Sequence, residues 1–137
     1  MNLVEELLKS DSKKADELKT ERFLSEKLAY IMGKEKPVEI TIREIPARRL
    51  NDLLAKQYTS KGNFDMTKSF DAKALAVAEG VINPDLKNEQ VQQHFGCTTS
   101  KDLAVKLFGN EITAISDAIV MVSGYKNIQD TDEEIKN

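Results

Sequence analysis

The chain has 137 residues, the size of one ordinary domain, with 40% hydrophobic and 31% charged residues and a formal net charge of −3. A domain of this length buries roughly two-thirds of its unfolded surface, so it holds together without metals or disulfides; its one cysteine excludes an internal disulfide and fits a reducing compartment. No apolar run reaches the ~18 residues of a transmembrane helix, and the start, Met1-Asn2-Leu3-Val4, lacks the basic residues and apolar core of a signal peptide.

Residues 1–20 read as an N-terminal arm. Leu3, Val4, Leu7 and Leu8 form a short apolar stripe at helical spacing. The polar stretch Ser10 to Glu17 follows it. A helix of one or two turns is marginal alone in water, so the stripe must dock on its own domain or on a neighbour. These four residues are the candidate partner-binding residues.

Residues 21–126 read as a helical domain. Leu24, Leu28, Ile31 and Met32 mark one face of a helix, and Gly33 is placed to end it. After Pro37 the period changes: Val38, Ile40 and Ile42 alternate with Glu39, Thr41 and Arg43, the pattern of a half-buried strand. A lone strand is not stable, so it needs a partner near Thr20–Phe23 or from another subunit. Pro46 fits a helix entry, and Leu50, Leu53, Leu54 and Tyr58 form the next stripe. Thr59 to Asn63 is a loop by its turn residues. Asp71 to Ile82 is alanine-rich and apolar on several sides, which predicts a central helix that neighbours approach closely.

Asn83-Pro84-Asp85 stops that helix. A short helical turn runs from Asn88 to His94 and ends at Gly96. Thr99 to Asp102 resembles a capping arrangement for a helix carrying Leu103, Ala104, Leu107 and Phe108. Asn110 is the expected cap of a last helix carrying Ile112, Ile115, Ile119 and Val122, closed by Gly124. Residues 127–137 read as a flexible acidic tail. The fold class is therefore mainly α: a helical domain of about five to seven helices with one small β element near Val38–Ile45. The expected core is Leu50, Leu53, Leu54, Leu75, Val77, Ala78, Ile82, Leu103, Leu107, Ile115 and Ile119.

Candidate chemistry is sparse. His94 is the sole histidine, so no histidine pair is available for a metal; beside Phe95 at a helix end it reads as a structural residue. Cys97 lies in a loop without the nearby cation or helix N-terminus that would make a reactive thiolate, and reads as packing. Asp85, Asn88 and Glu89 lie close together but lack the spacing of a calcium loop; a turn and a helix start explain them. Gly80, Gly96, Gly109 and Gly124 sit at segment ends and make no phosphate loop. Arg43, Arg48, Arg49 and Lys56 are the best basic group, but Glu44 and Asp52 interrupt it, which reads as a solvated helix surface. No catalytic, cofactor-binding or metal-ligating residue is assigned, and the chain reads as a non-enzyme. No cofactor, small-molecule substrate, nucleic acid or membrane is expected as a partner.

The order of motifs from Glu79 onward carries a resemblance. An apolar helix ends at Glu79-Gly80-Val81-Ile82-Asn83-Pro84-Asp85-Leu86-Lys87-Asn88-Glu89; Phe95-Gly96, a Leu-rich helix and a terminal helix closing at Ser123-Gly124-Tyr125 follow. Upstream, Ile40-Thr41-Ile42-Arg43-Glu44-Ile45 fits the same order. The run from Val38 to Tyr125 resembles the XkdN-like tail assembly chaperones of tailed bacteriophages and related prophages. Two stretches depart from that pattern: Leu24 to Met32 is more helical, and Gly109-Asn110-Glu111 is shorter.

The resemblance implies a non-catalytic protein of the bacterial host cytoplasm, absent from the mature particle. It would bind the tape measure protein and keep it soluble during tail tube assembly. The tail tube protein and a homo-oligomer are further candidate partners. A small structural tail or connector protein of the particle is the alternative reading, and a small helical DNA-binding regulator the second alternative.

Overall fold

The structure is a computed structural model that describes residues 2–124. In chain order it has helix α1 (Leu3–Lys9), a 3-10 turn (Ser12–Asp16), strand β1 (Thr20–Ser25), helix α2 (Glu26–Met32) and strand β2 (Val38–Arg43). Helix α3 (Ala47–Ala55), helix α4 (Met66–Gly80), strand β3 (Val81–Asn83) and helix α5 (Glu89–His94) follow. Helix α6 (Ser100–Phe108), a 3-10 turn (Gly109–Glu111) and helix α7 (Ile112–Val122) complete it. The fold is mainly α, as the periodicities predict.

The β part is larger than the single element expected. Three strands form one antiparallel sheet in the order β1-β2-β3. The strand after Pro37 finds its partner within the chain, in the segment beginning at Thr20, with Phe23 opposite Ile40 and Ser25 opposite Val38. The alternation in β2 does what its pattern requires: Ile40 and Ile42 are buried while Glu39 is exposed.

Strand β3 corrects the reading of Asp71 to Ile82 as one helix. The helix begins earlier, at Met66 under the cap of Asp65, and ends at Gly80. Apolar residues stand on both sides of Glu79-Gly80, so periodicity alone does not mark the stop. Three local facts do. Gly80 is a poor helix former, Val81 and Ile82 are β-branched, and Pro84 disfavours helical backbone at Asn83. The open edge of β2 then supplies partners, with Val81 opposite Ile42. Side chains alternate across a strand, so Val81 is buried and Ile82 is exposed rather than part of the core. The Asn83–Pro84 peptide is cis.

Leu24 is a second correction. It lies in β1 and is exposed, and α2 starts only after Ser25, whose hydroxyl caps it by accepting from the Leu28 N–H at 3.0 Å. Gly33 ends α2 in the left-handed region, with φ of 68°, as its position predicts. Thr99 caps α6 by accepting from the Asp102 N–H at 3.1 Å. Asn110 does not cap α7. That helix has no side-chain cap, because Gly109–Glu111 turns as a 3-10 helix straight into it and the Glu111 carboxylate reaches across to β1 and α2 instead.

The core lies between the sheet and helices α3, α4, α6 and α7. Of the expected core, Leu50, Leu53, Val77, Ala78, Leu103, Leu107, Ile115 and Ile119 are buried. Leu54 and Leu75 are half-buried and pack at its margin. The centre also takes Ile40, Ile42 and Ile45 from the sheet side, Leu86 after β3, and Phe108 and Ile112 around the last turn. Each such side chain contributes about 1.5–3 kcal/mol on leaving water.

Helix α4 is central, as expected, packing on α3, α6 and α7. Ala72, Ala74 and Ala76 keep its surface low enough for close approach. Gly80 continues this role rather than serving only as a stop: a Cβ there would stand 2.5 Å from Ile119 Cδ1 and 3.0 Å from two further atoms of that side chain. At the end of α7, Ser123 Oγ accepts from the Ile45 N–H at 3.0 Å and donates to the Ile119 carbonyl at 2.7 Å. The serine of the closing Ser-Gly-Tyr sequence thereby ties α7 to the exit of β2.

Candidate interaction surface

The N-terminal arm begins with a local solution to a local problem. Asn2 accepts from the Val4 N–H at 3.0 Å and starts α1 by satisfying a donor that the helix leaves free. Glu5 and Glu6 sit in the first turn and Lys9 in the last, each favourable to the helix dipole. Ser10 ends the helix in extended backbone. No residue of α1 is buried, and Leu3, Val4, Leu7 and Leu8 are between 65% and 82% exposed. The four sequence-predicted partner-binding residues are thus brought together on one short helix and left uncovered among the described residues.

The connection to the body is polar. The residues from Ser10 to Glu17 are exposed, and the anchor comes at Lys19. There the Lys19 N–H donates to Glu44 Oε1 at 2.8 Å, and the Glu44 N–H returns a bond to the Lys19 carbonyl at 2.8 Å. Among the described residues none before Lys19 hydrogen-bonds to the body, and Leu18 is half-buried.

A second uncovered apolar surface lies where α3 turns into α4, and sequence reasoning missed it. The loop folds as a small hairpin: Tyr58 bridges Phe64, the Thr59 N–H donates to the Asn63 carbonyl at 2.7 Å, and Gly62 takes a positive φ of 85°. The rings of Tyr58 and Phe64 meet edge to face with centroids 6.0 Å apart. Met66 and Phe70 follow at i, i+4 on α4. Tyr58, Phe64, Met66 and Phe70 are between 43% and 81% exposed. Tyr58 extends the α3 stripe in sequence, and the residues after the turn give no period to read. Beside this patch α3, α4 and α7 enclose a cleft of about 170 Å³, lined in part by Leu54, Gln57, Lys73 and Val120.

The remaining candidates are explained by structure. The His94 ring packs edge-on against Phe95 at 5.0 Å. Cys97 is half-buried with Sγ 3.6 Å from the Phe95 carbonyl. Asp85 accepts from the Lys87 N–H and Asn88 caps α5, so both are turn residues. Among the described residues no group of His, Cys, Asp and Glu is placed to hold a metal ion, and no described helix is long and apolar enough to cross a membrane. The basic group is interrupted in space as in sequence. Arg49 Nε binds Glu79 at 2.8 Å, which pushes the guanidinium up from its ordinary value, and Arg43 shares a cleft with Glu79 and Asp85.

The family model for the phage XkdN-like tail assembly chaperone protein matches residues 4–136. The chain belongs to the XkdN-like phage tail assembly chaperone family. The match begins at Val4 within the arm and runs to residue 136; Tyr125 and the expected acidic tail 127–137 lie outside the described residues. The fold is similar to the crystal structure of the protein yqbn, with a TM-score of 0.53 and 14% identity, covering 78% of this chain and 87% of that one. No curated protein sequence matches.

Proposed function

We propose that this tail assembly chaperone binds the tape measure protein and keeps it soluble until tail tube subunits polymerise around it, in the bacterial host cytoplasm. The observation that carries the reading is the pair of uncovered apolar surfaces, α1 and the Tyr58–Phe70 patch, on a chain of the tail assembly chaperone family. A long helical client with apolar faces aggregates until those faces are covered. Many copies of a small domain with uncovered apolar side chains supply that cover, and a net charge of −3 per copy helps keep the coated client dispersed. Leu3, Val4, Leu7 and Leu8 serve either client binding or association between copies.

Mass spectrometry at two stages of assembly tests this. The reading requires the protein bound to the tape measure protein in lysate and missing from purified particles. Its presence in particles in amounts matching a tail component would favour the alternative, a small structural tail or connector protein.

A further inference from the structure

We infer that the open edge of β1 takes an extended segment of a partner polypeptide as a fourth strand, with apolar side chains toward α7 and an acidic residue opposite Arg22. This goes beyond the tape measure reading and does not depend on it.

The backbone specifies the occupant. The sheet ends at β1. Lys19 and Glu44 continue the β1–β2 register, and the Glu44 N–H donates to the Lys19 carbonyl at 2.8 Å. Bonded and non-bonded pairs alternate along an antiparallel ladder. Glu21, Phe23 and Ser25 therefore bond to β2, while Thr20, Arg22 and Leu24 turn their N–H and C=O groups to the open side. No backbone hydrogen bond from elsewhere in the described residues reaches these groups. Neither proline nor a bulge blocks the edge, as they do where an edge is closed to pairing. An extended backbone matches such a row; a helix does not, because its own groups are paired internally.

The core side specifies apolar residues. Side chains alternate across a strand. Glu21, Phe23 and Ser25 share one face, with Ser25 buried and Phe23 packed on the core, so Thr20, Arg22 and Leu24 lie on the other. On the core side a cleft of about 390 Å³ opens between β1 and α7, lined in part by Ile42, Ala118, Met121 and Val122. Met121 is 46% exposed. An added strand lays every second side chain toward this cleft. Glu21 also lines it, which disfavours an acid there. Asp117, the sole acid of α7, lines a different cleft.

The outer face specifies the charge. Arg22 stands opposite Thr41 and makes no ion pair among the described residues. Its diagonal neighbours on β2 are Glu39 and Arg43, of opposite sign. An acid placed opposite Arg22 on an added strand meets this cation directly. The same charge argues against a second copy as occupant: pairing β1 with β1 antiparallel in full register sets Arg22 opposite Arg22, and like charges so placed are unfavourable. A strand of 6 residues buries little, which puts the contact in the weak, reversible class below about 1,200 Å².

Titrating the isotope-labelled full chain with the capped peptide Val-Thr-Val-Glu-Val-Thr, followed by amide NMR, tests this. Shifts should centre on Thr20, Arg22 and Leu24 and extend to Met121. In the antiparallel pairing the peptide glutamate N–H faces β1, so methylating that nitrogen should weaken binding at least ~10-fold. Methylating the valine nitrogen before it, which faces away, should cost much less. Arg22→Glu, at an exposed position and checked for folding by circular dichroism, should weaken the peptide about 2–5-fold and favour the peptide with lysine in place of glutamate. No shifts at millimolar peptide, or shifts centred on the Tyr58–Phe70 patch, would overturn the inference. So would equal effects of the two methylations, or β1–β1 contacts between copies in the chain alone, which would mean that a second copy fills the edge.

Discussion

Ser25 and Glu111, 86 positions apart in sequence, share a hydrogen bond of 2.6 Å from the serine hydroxyl to Oε1 of the carboxylate. The other carboxylate oxygen accepts from the Glu26 N–H at 3.0 Å, and Ser25 Oγ accepts from the Leu28 N–H at 3.0 Å. One side chain from the turn before α7 thus completes the start of α2 and fixes it to the far end of the fold. Ser25 is fully buried, so the loss of its partner is expensive. Glu111→Ala should destabilise the domain by about 1–3 kcal/mol. Ser25→Ala in that background should cost markedly less than it does alone, because the two groups act as a unit. Urea denaturation of the four-member cycle measures both.

Gly80→Ala should destabilise the domain by about 1–3 kcal/mol although alanine is the better helix former. The added Cβ meets the buried Ile119 side chain from 2.5 Å outward. Shortening the neighbour makes room, so Ile119→Val should cost less in the Gly80→Ala chain than in the parent. Thermal melts of the single and double variants read this directly. If Gly80→Ala raised the melting temperature, the close approach of α4 and α7 would be wrong.

Leu107→Ala should cost about 2–5 kcal/mol, since Leu107 is buried between α6 and the core. Leu75→Ala should cost clearly less, because Leu75 is only half-buried. Chemical denaturation compares them, and equal losses would contradict the placement of Leu75 at the core margin.

The helical stripes and their caps were legible because each uses a local rule. Leu50 and Leu53, Leu103 and Leu107, and Ile115 and Ile119 repeat at helical spacing and are buried; Thr99 and Gly33 cap as their types predict. The period change after Pro37 gave β2, and its need for a partner left two candidates, the segment near Thr20–Phe23 or another subunit, of which the structure shows the first. What stayed hidden is non-local. Val81–Asn83 becomes a strand because β2 offers an open edge, which no window around residue 81 contains. Glu111 was invisible as a cap because its partners lie 85 and 86 positions away. The apolar stripe of α1 was legible as a candidate contact, and the structure gathers it on one uncovered face. The Tyr58–Phe70 patch was not, because Tyr58 and Phe64 are brought together by the hairpin between α3 and α4, which no periodicity marks.

The proposed role is to hold the tape measure protein in solution. Co-expression of the two in a bacterial host, followed by fractionation and affinity capture of the chaperone, tests it most directly. The tape measure protein should be insoluble alone, move to the soluble fraction with the chaperone, and be captured with several copies of it. A tape measure protein that stays insoluble, or is soluble but never captured, at saturating chaperone would rule this role out.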